Sequence, residues 1–204
     1  MLPATMAPEH SRTTTAHVVQ LFDSDESLAD AVSAFLYEGF KRSETLLVVI
    51  DEQRWYSVAM RLAAREVPVD ELLQSGQLTV RDASDTLKLF MRRGRPDRRA
   101  FEDSVGQLIR DLSTRGAALR IYGEMVNVLA AQGEYRAAHL LEEIWNDLGR
   151  RSPFRLFCGY GSAHFGDPRH GESLRRICES HSHVLSSSQD VLGEFLLQAN
   201  QIGR

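Results

Sequence analysis

Five short apolar runs alternate with stretches of helical periodicity, and that alternation confines the chain to few folds. The runs are HVVQLFD (His17–Asp23), TLLVVI (Thr45–Ile50), LTVRD (Leu78–Asp82), ALRIYG (Ala118–Gly123) and FRLFCGYG (Phe154–Gly161). Between them apolar residues recur at helical spacing, as at Leu28, Val32, Phe35 and Leu36, or Trp55, Val58, Leu62 and Ala63. Strand–helix–strand units impose a parallel sheet with helices on both faces. Leu46–Ile50 is apolar without a break, as a strand covered on both faces should be. The expected class is therefore α/β, a three-layer fold with a mostly parallel central sheet. Helices are expected over Leu28–Phe40, Asp51–Glu66, Val69–Leu73, Ala100–Arg115, Met125–Ala131, Glu134–Leu148, Leu174–His183 and Asp190–Ile202, with one more capped by Ser84 or Asp85 and running through Met91. Residues 1–15 read as a loose tail, 16–186 as one domain and 187–204 as a C-terminal helix. No internal repeat is visible.

Composition narrows the function classes. The 204 residues carry a net charge of −4, and aromatics make up only 8 %. A mildly acidic chain with few stacking residues is a poor nucleic-acid binder, so no direct nucleic-acid partner is expected. The longest apolar run is far shorter than the roughly 20 residues that span a bilayer, so no membrane partner is expected either. Two cysteines, Cys158 and Cys178, cannot build a disulfide framework and read as reduced thiols. With no signal-peptide pattern at the N-terminus, the expected location is cytoplasmic.

In parallel α/β sheets ligands sit beyond the carboxyl ends of the strands. That rule singles out Asp23–Asp25, Asp51–Glu52, Asp82–Ser84, Gly123–Met125 and Cys158–Ser162. Within this set, Asp51–Ser84 resembles the second-strand region of KaiC-type, RecA-like ATPases, where paired acids end a strand. A wider resemblance, over residues 16–186, is to the MEDS domain (methanogen/methylotroph DcmR sensory domain). It is carried by His17, the helix end Glu38-Gly39-Phe40, Glu44, LRIYGEM (Leu119–Met125), HLLEEIWNDL (His139–Leu148), FRLFCGYG and CESHSHVL (Cys178–Leu185). The resemblance implies a degenerate RecA-like fold and a sensory role, with small hydrocarbon derivatives suggested as signals. The family's members are often fused to histidine kinases or DNA-binding regulators; the expected function here is a stand-alone sensory domain that binds a small, apolar ligand and/or a partner regulator and relays the signal by protein–protein interaction to a histidine kinase, a transcription regulator or an anti-sigma-type protein.

An ATPase of this lineage needs G-x-x-x-x-G-K-[ST] after the first strand, where glycine-loop amides and a lysine hold the phosphates. The corresponding FDSDESLADAV (Phe22–Val32) has neither glycine nor lysine and carries four acids. The phosphate-binding loop is read as lost and ATP hydrolysis is not expected. A residual nucleotide-binding ATPase and a non-catalytic dimeric scaffold remain the alternatives.

The expected ligand-binding residues are His17, Asp51, Glu52, Glu124, Cys158, Tyr160 and His181, some of them lining the strand-end crevice. Each has a plainer reading. Asp51 or Glu52 can serve the following helix N-terminus, Glu124 can pair locally, and Cys158 can be a small core residue. No catalytic residue, cofactor or metal is expected: zinc sites want close ligand pairs, and Cys178-x-x-His181 and His181-x-His183 are incomplete. His139-x-x-Glu142 lacks the second such motif that a di-iron helix pair requires. Arg92, Arg93 and Arg95, in a basic loop around Pro96, are candidates for an acidic partner, the plainer reading being a solvated loop. Phe195 and Leu196 lie on an apolar stripe that either packs on its own domain or forms a partner or homodimer groove.

Overall fold

The computed structural model describes residues 16–186. Six strands form one wholly parallel sheet in the order β3-β2-β6-β7-β1-β8. They are β1 (His17–Phe22), β2 (Thr45–Ile50), β3 (Leu78–Asp82), β6 (Leu119–Gly123), β7 (Arg155–Gly161) and β8 (His183–Ser186). A separate hairpin, β4 (Met91–Arg92) and β5 (Arg95–Pro96), occupies the stretch expected to be a basic loop.

Alternation along the strands divides the core in two. On β2, Leu46, Val48 and Ile50 face one helix layer, and Leu47 and Val49 face the other. The first layer contains α1 (Asp25–Lys41), α2 (Glu52–Ala63) and α3 (Val69–Ser75), packed through Leu28, Val32, Leu36, Val58, Leu62 and Leu72. The second contains α4 (Ala83–Phe90), α5 (Arg98–Phe101), α6 (Gln107–Ser113), α7 (Met125–Ala131), α8 (Tyr135–Arg151) and α9 (Gly171–Glu179). This is the three-layer α/β architecture expected from the sequence.

Four local details depart from expectation. Ala100–Arg115 is not one regular helix: a π-helical turn, Glu102–Gly106, separates α5 from α6. The cap of α4 is Asp82, whose side chain accepts the Asp85 N–H, rather than Ser84 or Asp85. Helix α9 spans Gly171–Glu179 rather than Leu174–His183, and the missed edge strand β8 follows at His183. That segment, HVLS, has only two apolar residues, too few to declare a strand, and β1 supplies the pairing that fixes it. The expected helix Asp190–Ile202 lies outside the described residues.

Glu44 and Arg120 carry charge into the core as a pair. Glu44 and Arg120 are 4 % and 6 % exposed and meet at 2.6 Å, with Arg155 donating to the other Glu44 oxygen at 2.5 Å. Arg120 also donates to the Phe35 carbonyl. Helix α1 approaches this group closely at Gly39, where a Cβ would come within 2.8 Å of Arg120 Cδ and 2.6 Å of Leu46 Cδ2. Removing one member of a buried ion pair strands the other charge, so Glu44→Ala should cost about 3–5 kcal/mol in urea unfolding. Asp85→Ala, which removes an exposed partner of Lys88, should leave the unfolding midpoint essentially unmoved.

Candidate functional site

The residues singled out from the sequence fall into two separate polar networks. The first lies at the carboxyl ends of β2 and β6. Asp51 caps α2, its Oδ1 accepting the N–H groups of Gln53 and Arg54, which is the local role expected as its plainer reading. Glu52 is exposed in the first turn of α2. Glu124 is fully buried. Its Oε1 accepts from Arg54 at 2.9 Å and from the Asp51 N–H at 3.2 Å, while Arg54 also donates to Asp25 at 2.8 Å. Burial raises the Glu124 carboxyl pKa, and Arg54 only partly offsets it.

The same end of the sheet is where a phosphate loop would lie. Only Asp23 and Ser24 separate β1 from α1, and the Ser24 hydroxyl already accepts the Ser27 N–H. A two-residue connection cannot wrap a phosphate with successive backbone N–H groups.

The second network lies on the opposite face, beneath α8. On β7 the period of two turns Leu156, Cys158 and Tyr160 toward α8, and α8 turns Ala138, Leu141, Glu142 and Trp145 back toward the sheet. Glu142 interrupts that apolar face, and its side chain has zero exposure. His17 comes from the first position of β1 and His181 from the turn between α9 and β8. His17 Nε2 lies 3.3 Å from Glu142 Oε2 and 3.4 Å from Cys158 Sγ. His181 Nε2 lies 3.3 Å from Glu142 Oε1, and Cys158 Sγ lies 3.8 Å from Glu142 Oε2. Tyr160 donates its hydroxyl to Glu142 Oε1 at 2.9 Å. The two imidazole centroids are 4.0 Å apart.

Backbone and amide groups orient both rings. His181 Nδ1 is 2.7 Å from the Ile177 carbonyl, which can only accept, so this nitrogen carries the hydrogen. Asn146 Nδ2 donates to the Ser180 carbonyl, which leaves Asn146 Oδ1 to accept from His17 Nδ1 at 2.8 Å. Burial alone would raise the Glu142 pKa, but His181 and His17 hold it well below the ordinary carboxylate value. Burial, reinforced by Glu142, pushes the Cys158 thiol and the Tyr160 hydroxyl well above theirs. A thiol so placed is a poor nucleophile, and it serves as a soft ligand only once it has lost its proton.

Thus His17, Cys158, Tyr160 and His181 meet in one site, while Asp51 and Glu124 belong to the other and Glu52 to neither. Sequence reasoning missed Glu142 as a site residue. The available signal was an acid on the apolar stripe of HLLEEIWNDL, on the same helix face as Ala138 and Trp145. Arg92, Arg93 and Arg95 lie exposed in or beside the hairpin, far from both networks in the chain, and Arg92 donates to the α4 carbonyls of Lys88 and Leu89. Phe195 and Leu196 lie outside the described residues.

Comparison with known families finds one match. The family described as MEDS (MEthanogen/methylotroph, DcmR Sensory domain) matches residues 16–182. No curated protein matches the chain. The match begins one residue before His17 and ends one residue after His181, so it spans the buried quartet from end to end. No helix among the described residues is long and apolar enough to cross a membrane.

A carboxyl with a raised pKa in the folded state binds more protons folded than unfolded. Its contribution to stability is greatest at low pH and is lost as pH rises through the raised value. Glu124→Gln lacks this titration. The wild type should therefore lose stability relative to Glu124→Gln as pH climbs from about 4 upward, a trend that urea melts at a series of pH values will read directly.

Proposed function

We propose, from the premise that the chain belongs to the MEDS family of sensory domains, that its input acts at the buried quartet His17, Glu142, Cys158 and His181 and that its output leaves through β8. The observation carrying this reading is the way β8 is tied to the quartet. Ser182 donates both its N–H and its hydroxyl to the His17 carbonyl and accepts the His17 N–H. Asn146 bridges the His17 ring to the Ser180 carbonyl. A shift of either imidazole therefore pulls on the turn that starts the edge strand, and among the described residues β8 pairs only with β1.

An edge strand held on one side is a local element that opens at low cost, which suits a relay by population shift. The input is a small molecule, since the quartet side chains are buried and the adjoining 180–183 turn is partly exposed. The output is a changed surface read by a separate protein, a histidine kinase, a transcription regulator or an anti-sigma-type factor. The short, acidic β1–α1 connection supports a non-catalytic role and a RecA-like ancestry without phosphate binding. The raised thiol pKa of Cys158 argues against cysteine nucleophilic catalysis.

Hydrogen exchange read by mass spectrometry tests the relay. Short-chain alcohols, aldehydes and haloalkanes serve as probes. At least one should change exchange over residues 180–186, and Asn146→Ala should abolish that response while the sheet amides of β2 and β6 stay protected. Unchanged exchange with every probe, or an undiminished response in Asn146→Ala, would count against the relay. Tight binding of ATP with Mg²⁺ would favour the nucleotide-binding alternative.

A further inference from the structure

We propose that His17, Glu142, Cys158 and His181 form a tetrahedral site for a divalent transition-metal cation of the Zn²⁺ type. The assignment rests on the sensory reading's choice of the quartet as the input site and gives that site its chemistry. One donor atom from each side chain lies within 4.8 Å of every other. Zinc–nitrogen and zinc–oxygen bonds of about 2.0–2.1 Å, with tetrahedral angles, separate neighbouring ligand atoms by about 3.3–3.4 Å; a thiolate at about 2.3 Å widens its own separations to about 3.5–3.6 Å. The nitrogen–oxygen contacts are 3.3 Å and 3.3 Å, and those of the sulfur are 3.4 Å and 3.8 Å. The two imidazoles face different Glu142 oxygens, and every pair among the four donors lies within 4.8 Å, so small side-chain rotations would close the four around one small cation.

The hydrogen bonds around the quartet agree. Both rings carry their hydrogen on Nδ1, toward the Ile177 carbonyl and Asn146 Oδ1, so in neutral form both Nε2 lone pairs converge on Glu142. Lone pairs facing a carboxylate repel unless a cation lies between them. His181 Nε2 is the one buried side-chain nitrogen or oxygen among the described residues without a hydrogen-bond partner, on a side chain of zero exposure. Metal-bound histidines typically donate their other ring N–H to a carbonyl or carboxylate, and ligating carboxylates are themselves hydrogen-bonded. Ile177, Asn146 and Tyr160 supply these outer contacts.

Charge is compatible with the site. One protonated ring balances the carboxylate but leaves the other Nε2 lone pair facing it, and protonating both rings leaves a net positive charge among buried side chains, which is costly. A dication bound to one thiolate, one carboxylate and two neutral imidazoles leaves none. Binding forms the metal–sulfur bond and releases the Cys158 thiol proton to solvent. Two nitrogens and a sulfur suit Zn²⁺, Fe²⁺ or Co²⁺ and exclude the oxygen-seeking Ca²⁺ and Mg²⁺.

The chain purified under reducing conditions without chelator should contain about one such metal per molecule. After chelator treatment, Co²⁺ titration should give the intense visible bands of tetrahedral cobalt and a thiolate charge-transfer band. Cys158→Ser should lose the thiolate band, while Cys178→Ser keeps it. His181→Gln should weaken binding strongly, and Tyr160→Phe, which removes only an outer contact, by about 10-fold or more. Circular dichroism identifies the folded variants, and Tyr160→Phe keeps the test open should Cys158→Ser fail to fold. Absence of metal in the isolated chain together with no cobalt bands would overturn the site. So would a thiolate band equal in Cys158→Ser and Cys178→Ser. Stoichiometric metal without any exchange change at 180–186 upholds the site and sinks the relay; probe-induced exchange in a chain that binds no metal does the reverse.

Discussion

The parallel sheet is buried on both faces, and that constraint sets the terms for every polar group in the molecule. A strand such as β2 contributes apolar side chains to both helix layers, so a charge entering either layer must bring its partner. Among the described residues three carboxylates do enter. Glu44 meets Arg120 and Arg155, and Glu124 meets Arg54. In both, an arginine supplies the counter-charge and several donors at once. Glu142 is the exception. Its neighbours are two imidazoles, a thiol and a phenol, none with a permanent positive charge. The first two networks are complete as drawn by protein alone. The third is balanced only by protons or by a cation, and a group balanced that way responds to its surroundings.

Much of the fold was legible in the sequence because parallel strands and amphipathic helices write their burial into hydrophobic period. Leu78–Asp82 and Met125–Ala131 have the bounds their patterns predict, and Thr45–Ile50 is the fully buried strand its composition demands. Legibility failed where tertiary pairing rather than local pattern decides. The edge strand β8 has too few apolar residues to announce itself and exists through its register with Val18–Leu21. The π-helical turn at Glu102–Gly106 interrupts a pattern that reads as continuous helix, since one extra residue in a turn barely disturbs the period.

The site was legible by residue but not by arrangement. His17, Cys158, Tyr160 and His181 were all singled out, yet were grouped with Asp51 and Glu124 because strand-end rules place ligands at carboxyl ends. Residue order alone does not tell which sheet face a side chain joins. His17 and Cys158 are far apart in sequence and belong to adjacent strands, and the β1–β7 register sets Cys158 beside Val19, two residues from His17. Metal-ligand spacing could not have grouped these residues, for the same reason. Close pairs such as C-x₂-C mark sites built within one turn or hairpin, whereas these four donors come from two strands, one helix and one turn, and no local spacing reports their meeting.

The two networks also differ in what an incoming ligand would have to displace. At the strand ends each polar group already has a local structural task. Asp51 caps α2, Ser24 caps α1, and Arg54 is held between Asp25 and Glu124. A ligand there would have to break pairs that stabilise two helix starts, and the two-residue β1–α1 connection leaves little backbone to rearrange. Beneath α8 the converse holds. The Nε2 atom of His181 makes no hydrogen bond of good geometry and faces Glu142 Oε1 at 3.3 Å, and its residue belongs to the turn preceding β8, which among the described residues pairs only with β1. Occupying that nitrogen would displace one contact with Glu142, and the turn that carries it leads directly into β8. The arrangement that best accepts an input is therefore also the one best connected to an element able to move.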